Sequence, residues 1–275
     1  MLNIAEKVAN QISAKGINAR ADISVQNGVS CAVVELGNGQ IKPRIEIADI
    51  VEKGLSIEAI AEEVIKRYEK SKAATKELSD SFHEFIMDFS QVRPRLRLVL
   101  VNERNIEDFT TRKVLFRKEF ADLISYANIE LGQTVDGGTH AVKVTQNLLD
   151  AWGATAEEVY KAAKANVLAE TGYFNIYMHP VMMNVLSTED HTLGAVAMLN
   201  KELIAAFGRD SYIIPSSIHE LLLVPSNSNL NIWDLADTVI SVNKTILNPK
   251  EFLSNNIYHF VDGEFVEALN SEGVI

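Results

Sequence analysis

Ile17-Asn-Ala-Arg-Ala-Asp-Ile-Ser-Val-Gln-Asn-Gly-Val-Ser-Cys-Ala-Val-Val-Glu-Leu-Gly-Asn-Gly-Gln-Ile-Lys-Pro-Arg-Ile-Glu-Ile47 is the stretch that decides the fold class. Three strand-like runs, 17–25, 29–36 and 41–47, are separated by Asn27-Gly28 and by Gly37-Asn38-Gly39. Asn-Gly between apolar runs is a strong hairpin signal, because both residues tolerate the positive φ of a tight turn. The runs predict a three-stranded antiparallel meander. On its N-terminal side Leu2, Ile4, Val8 and Ile12 recur near one helical face, and Gly16 stops the pattern. On its C-terminal side Ile57, Ile60, Ala61, Val64, Ile65 and Tyr68 form an apolar stripe, with Ser56 as a candidate N-cap. The first 75 residues read as helix, meander, helix: a compact α+β unit with its helices on one face.

The polar stretch 69–80 follows and is the best boundary candidate, dividing the chain into 1–75 and 80–275; the alternative is that the preceding helix continues through part of it. The second part mixes both periodicities. Strands are predicted over 96–101, 123–131, 212–214 and 218–224, and a last hairpin, 257–261 with 264–266, turns at Asp262-Gly263. Asp136-Gly137-Gly138 is a turn signal. Helices are predicted over 81–89, 145–151, 201–207 and 230–245. Another opens at Thr155, where Thr-x-x-Glu158 is a capping-box pattern, and runs to about 169. The fold class is α+β: a helix/three-stranded meander/helix unit followed by a larger mixed α/β domain.

Composition removes several function classes. The chain has 275 residues, 47% apolar and 23% charged, which is ordinary for a globular protein and excludes disordered or fibrous classes. No window approaches the roughly 18 uninterrupted apolar residues of a membrane helix. Glu6 and Lys7 interrupt any signal-peptide core, so a cytoplasmic location is expected. One cysteine, Cys31, cannot form an internal disulfide; its apolar strand setting suits a small buried hydrophobe rather than a reactive thiol.

The charge is unevenly spread. The total is 26 Lys and Arg against 37 Asp and Glu, net −11. Residues 91–118 carry 8 basic against 3 acidic side chains, whereas residues 119–275 carry 7 against 20. An acidic C-terminal half does not suit direct nucleic-acid binding, because phosphate contacts need Lys and Arg. It suits internal pairing with the basic segment, a solvated surface, or a basic protein partner.

Two sets of residues carry candidate chemistry. In Pro215-Ser-Ser-Ile-His-Glu220, Ser217 and His219 would share one face of a strand, which permits the hydrogen bond of an activated nucleophile; Glu220 lies beside them. The frame lacks a Gly-x-Ser-x-Gly elbow, and no second His completes a His-Glu-x-x-His metal pattern. The alternative is that Ser216 and Ser217 satisfy backbone groups at a turn and His219 is structural. Arg93, Arg95 and Arg97 alternate with Pro94, Leu96 and Leu98, so a strand would bring three guanidinium groups to one face for an anionic ligand; Arg112, Lys113, Arg117 and Lys118 follow. Pairing with the acidic half is the alternative. The six histidines, His83, His140, His179, His191, His219 and His259, show no zinc spacing, and phosphate-binding loops are absent, so no metal or cofactor is expected.

Several stretches resemble an uncharacterised family of bacterial proteins, frequent in Firmicutes and particularly gut Clostridia. They are Val101-Asn-Glu-Arg-Asn105, Phe120-Ala-Asp-Leu123, Trp152-Gly-Ala-Thr with 162–166, Gly194-Ala-Val-Ala-Met-Leu199, Ile214-Pro-Ser-Ser-Ile-His-Glu220, Val242-Asn-Lys-Thr245, and Phe252-Leu-Ser254 with Tyr258. The part from Phe120 onward is also similar to a second uncharacterised family, of Bacillus-type bacteria, which has a different dipeptide in place of His219-Glu220. The resemblance implies an α+β fold and a cytoplasmic bacterial protein, sometimes associated with mobile elements; it implies no activity, substrate or cofactor. The leading expectation is a non-enzymatic binding or protein-interaction protein. The competitors are a hydrolase-like enzyme using Ser217 and His219 with Glu220 or Asp122 nearby, and an acidic inhibitor of a nucleic-acid-handling enzyme.

Overall fold

The computed structural model describes the backbone of residues 1–26, 28–38, 42–133, 139–178, 181–270 and 273–274. Within these, side chains are described except at 26, 71–83, 133, 139–140, 174–178, 181–182, 267–268, 270 and 273–274. Asn27, Gly39, His179 and the turn signal at Asp136-Gly137-Gly138 lie outside the described residues, as do the side chains of His83 and His140. The chain is mixed α+β and divides into two compact units, Met1–Phe85 and Ile86–Ile275. No helix among the described residues is long and apolar enough to cross a membrane.

The first unit contains helix α1 (Leu2–Ala14), strands β1 (Ala19–Gln26), β2 (Val29–Leu36) and β3 (Arg44–Glu46), the short helix α2 (Ala48–Val51) and most of helix α3 (Ile57–Met87). The strands form an antiparallel meander in the order β1-β2-β3, as the two turn signals predict. Gln26 faces Val29, the register that a two-residue turn imposes, and Gly28 has φ +72°. Ala5, Val8, Ala9 and Ile12 of α1 meet Ala32, Val34 and Leu36 of β2 and Ile60, Ala61 and Val64 of α3 in one core. Cys31 lies in β2 and is buried.

The polar stretch 69–80 is helical rather than a break, inside α3. Its Glu, Lys and Ala residues are good helix formers and it holds no Gly or Pro, so nothing local stops the helix.

The second unit opens with α4 (Phe89–Val92) and a 3-10 turn, Arg93–Arg95. Strand β4 (Leu96–Asn102), helix α5 (Ile106–Thr111), strands β5 (Phe116–Lys118), β6 (Leu123–Gln133) and β7 (Thr139–Lys143) follow. These strands make a four-stranded sheet in which β4 flanks one side of β6, while β5 and β7 pair with successive parts of its other side. Helices α6 (Gln146–Trp152) and α7 (Ala156–Ala169) come next. Gly153, at φ +62°, ends α6 in the left-handed conformation that glycine tolerates best.

Strands β8 (Thr171–Met178) and β9 (Val181–Thr188), a 3-10 segment Gly194–Leu199, helix α8 (Lys201–Phe207), strands β10 (Asp210–Ile214) and β11 (Leu221–Pro225), helix α9 (Ile232–Thr245) and strands β12 (Ile257–Val261), β13 (Glu264–Asn270) and β14 (Gly273–Val274) complete the chain. They form a seven-stranded antiparallel sheet in the order β14-β13-β12-β10-β11-β9-β8. Ala236 and Val239 of α9 pack on Ile214, Val224 and Ile257 of this sheet. The predicted strand 218–224 begins only at Leu221. The Ile218 N–H donates to Glu251 O and the His219 N–H to Ser217 Oγ, so residues before 221 spend their donors outside the ladder.

The capping box predicted at Thr155 is present: Thr155 Oγ1 accepts from Glu158 N (3.2 Å), and Glu158 Oε2 accepts from Thr155 N (2.8 Å). That backbone N–H, then the Thr155 hydroxyl, holds the Glu158 carboxyl below the usual carboxylate range. Thr155→Ala is expected to destabilise the second unit by about 1 kcal/mol. Urea unfolding followed by tryptophan emission checks this, because both tryptophans, Trp152 and Trp233, lie in that unit.

Candidate functional site

The predicted site residues Ser217, His219 and Glu220 lie in the loop between β10 and β11. Ser217 is buried, and its hydroxyl accepts the backbone N–H of His219 at 3.0 Å. This is the turn geometry in which a serine side chain replaces a backbone acceptor. No hydrogen bond joins the hydroxyl to the imidazole among the described residues. The imidazole has Nε2 3.7 Å from Glu251 Oε1, while its Nδ1 is buried without a hydrogen-bond partner among the described residues. The His219 carbonyl accepts from Gly194 N (3.0 Å) and Ser187 Oγ (2.8 Å), which fixes the loop against β9 and the 3-10 segment. Glu220 is half-buried.

The same loop borders a polar hub centred on Asp122. Asp122 Oδ1 accepts from the Tyr258 hydroxyl at 2.6 Å; Oδ2 accepts from Ser254 Oγ and Asn102 Nδ2, both at 2.8 Å. Tyr258 and Ser254 are fully buried, and burial, then the Asp122 carboxylate, pushes the Tyr258 hydroxyl ionisation up. Leu253 N and Ser254 N donate to the Ser216 and Pro215 carbonyls at 2.9 and 3.0 Å, tying the hub to the 215–220 loop. Asn243 Nδ2 donates to Ser254 O at 2.9 Å. Residues far apart in sequence, 102, 122, 215–216, 243, 253–254 and 258, thus meet in one bonded network at the end of the four-stranded sheet and the base of β12.

Arg93, Arg95 and Arg97 do not lie on one strand face. Arg93 and Arg95 belong to the 3-10 turn, and only Arg97 is in β4. Pro94 accounts for this, since its fixed φ suits the start of a helical turn. Arg97 pairs with Glu130 (3.2 Å) and Glu170 (2.9 Å).

A cleft of about 330 Å³ lies between α7 and the four-stranded sheet. Its apolar lining includes Leu98, Leu115, Ala127, Val144 and Val159. It exists because Ser125 and Ala127 on β6 and Ala156 on α7 are small where larger side chains would fill the space. Ser125, Arg117, Glu157 and Tyr160 supply its polar edge. Ser125, itself 1% exposed, donates from Oγ to Glu119 Oε1 at 2.5 Å. Burial first, and the charge of the Glu119 carboxylate second, push the Tyr160 ionisation up to about 12. The Arg117 guanidinium carbon lies 4.4 Å from the centre of the Tyr160 ring, and Arg117 Nη1 meets Glu157 Oε2 at 3.4 Å. An arginine seated on an aromatic ring has its donor edge pre-oriented.

Sequence patterns place Arg117 in a basic segment but not in a site, and they do not single out Glu119, Ser125 or Tyr160. These residues come from β5, a turn, β6 and α7, so no local spacing joins them. Among the described residues no group of three or more His, Cys, Asp or Glu side chains is placed to hold a metal. His259 Nε2 is 3.1 Å from Asp210 Oδ1, a pair across neighbouring strands.

Fold and geometry define an α+β chain whose larger unit carries a cleft between α7 and the four-stranded sheet. The chain matches the model of a family of unknown function (DUF5688) over residues 3–184 and 169–262, and it belongs to that family. No curated protein and no solved structure matches it.

Proposed function

We propose that this chain is a non-enzymatic binding protein whose ligand occupies the cleft between α7 and the four-stranded sheet. The observation that carries this reading is the cleft itself: about 330 Å³, apolar in its floor, with Arg117 held on Tyr160 at its edge. Small-molecule sites have this composition, a concave apolar surface with a few fixed polar groups. In the same reading Ser217, His219 and Glu220 shape the loop rather than perform chemistry. The bond from the His219 N–H to the Ser217 hydroxyl supports that role, since it turns the hydroxyl toward backbone.

The test uses the fluorescent probe 1-anilinonaphthalene-8-sulfonate on the full chain. Probe emission rises on binding, and falls back in Ala127→Leu, which fills the floor, and in Ala156→Phe, which covers the exposed mouth. Both variants are first shown to be folded by tryptophan emission. Probe binding that neither variant changes overturns the reading. So does hydrolysis of p-nitrophenyl acetate that is catalytic in the parent chain and lost in Ser217→Ala.

A further inference from the structure

We infer that the ligand of this cleft is an apolar monocarboxylate, bound with its carboxylate on Arg117 and its hydrocarbon part on the floor. The inference rests on the binding reading above and names the chemistry of its ligand. Arg117 supplies positive charge at the cleft edge, and its guanidinium carbon sits 4.4 Å from the centre of the Tyr160 ring, which seats it beside the apolar lining.

The contact to Glu157 is weak by comparison. It is a single 3.4 Å approach between side chains 54% and 57% exposed, and Glu157 also meets Lys161 at 3.5 Å. An exposed pair of this kind is worth little, because water and salt screen it. A ligand carboxylate therefore replaces Glu157 at small cost and gains a bidentate, charge-assisted contact with a guanidinium already in place. Glu157 retains Lys161 when displaced. The rest of the lining includes Leu98, Leu115, Ala127, Val144 and Val159, apolar side chains that pair with hydrocarbon rather than with a polar group. A second carboxylate or a phosphate on the ligand would meet Glu157, which also lines the cleft, so the chemistry selects one negative charge and an apolar tail.

Isothermal titration of the full chain with sodium octanoate, 1-octanol and octylamine tests this. Octanoate is expected to bind at least about tenfold more tightly than either the neutral or the cationic analogue, a ratio that one charge-assisted contact supplies. Arg117→Gln, a change at an exposed side chain, removes that preference; a roughly tenfold advantage of octanoate over octanol that survives in this variant overturns the inference. Equal binding of octanoate and octanol in the parent chain overturns the carboxylate inference while leaving the cleft as a binding site. The carboxylate inference is also overturned if the fluorescent probe binds in the cleft and none of the three C8 compounds does. If neither the probe nor any C8 compound binds, the binding reading falls with it.

Discussion

Asp122→Ala lowers the unfolding free energy of the 86–275 unit by about 3–5 kcal/mol. The carboxylate accepts from three donors, Tyr258 Oη, Ser254 Oγ and Asn102 Nδ2, at 2.6 to 2.8 Å. Truncation leaves these groups in a site where Tyr258 and Ser254 have no access to water. An orphaned buried donor costs roughly 1–3 kcal/mol, so three of them account for the size of the loss. Asn102 softens it, because its Nδ2 also donates to Leu253 O at 2.9 Å. Tyr258→Phe removes one donor rather than the shared acceptor and costs about 1–2 kcal/mol. Combined with Asp122→Ala it is less than additive, since both changes act on the same bond. Urea unfolding followed by tryptophan emission measures all three. A loss under about 1 kcal/mol for Asp122→Ala would mean that the hub does not hold the unit together.

Gly194→Ala is expected to cost about 3 kcal/mol or more in the same unit, at the upper end of overpacking effects. A Cβ there would stand 2.4 Å from Ser187 Cα and 2.5 Å from His219 O. Both are backbone atoms, one on β9 and one in the 215–220 loop, so no side-chain rotation relieves the contact. Separating them also strains the bonds from Gly194 N and Ser187 Oγ to the His219 carbonyl. Gly172→Ala is the control. Nothing lies within 4 Å of its added Cβ, it is exposed, and its effect is expected within about 0.5 kcal/mol of zero. Comparable unfolding midpoints for the two variants would show that the loop yields at little cost.

The two sites differ in how far they are legible in the sequence. Ser217, His219 and Glu220 stand out as a motif, yet their arrangement depends on partners distant along the chain. The Glu251 carbonyl accepts the Ile218 N–H, the Glu251 carboxylate faces the imidazole, and the Ser187 hydroxyl donates to the His219 carbonyl. The strand that would have aligned Ser217 with the imidazole therefore starts too late. Arg93 and Arg95 show the same limit on a smaller scale: alternation with apolar residues reads as a strand, but Pro94 starts a helical turn. Strand β8 has no clear local signal. Gly172 and Asn175 dilute its Tyr, Phe and Ile residues, and pairing with β9 along its whole length supplies what propensity does not.

Local spacing alone is enough to specify the helix–meander–helix unit, the capping box of α7, the helical stripe of α9 and the last hairpin. Each rests on a pattern within about fifteen residues, where 3.6- and 2-residue periods, caps and Asn-Gly turns act directly on the local backbone. No such pattern foretells that Asp122 bonds Asn102, Ser254 and Tyr258, or that Arg117 sits on the Tyr160 ring; folding in three dimensions sets both. Those contacts join residues on different elements, and long-range packing, not local periodicity, fixes which side chains meet.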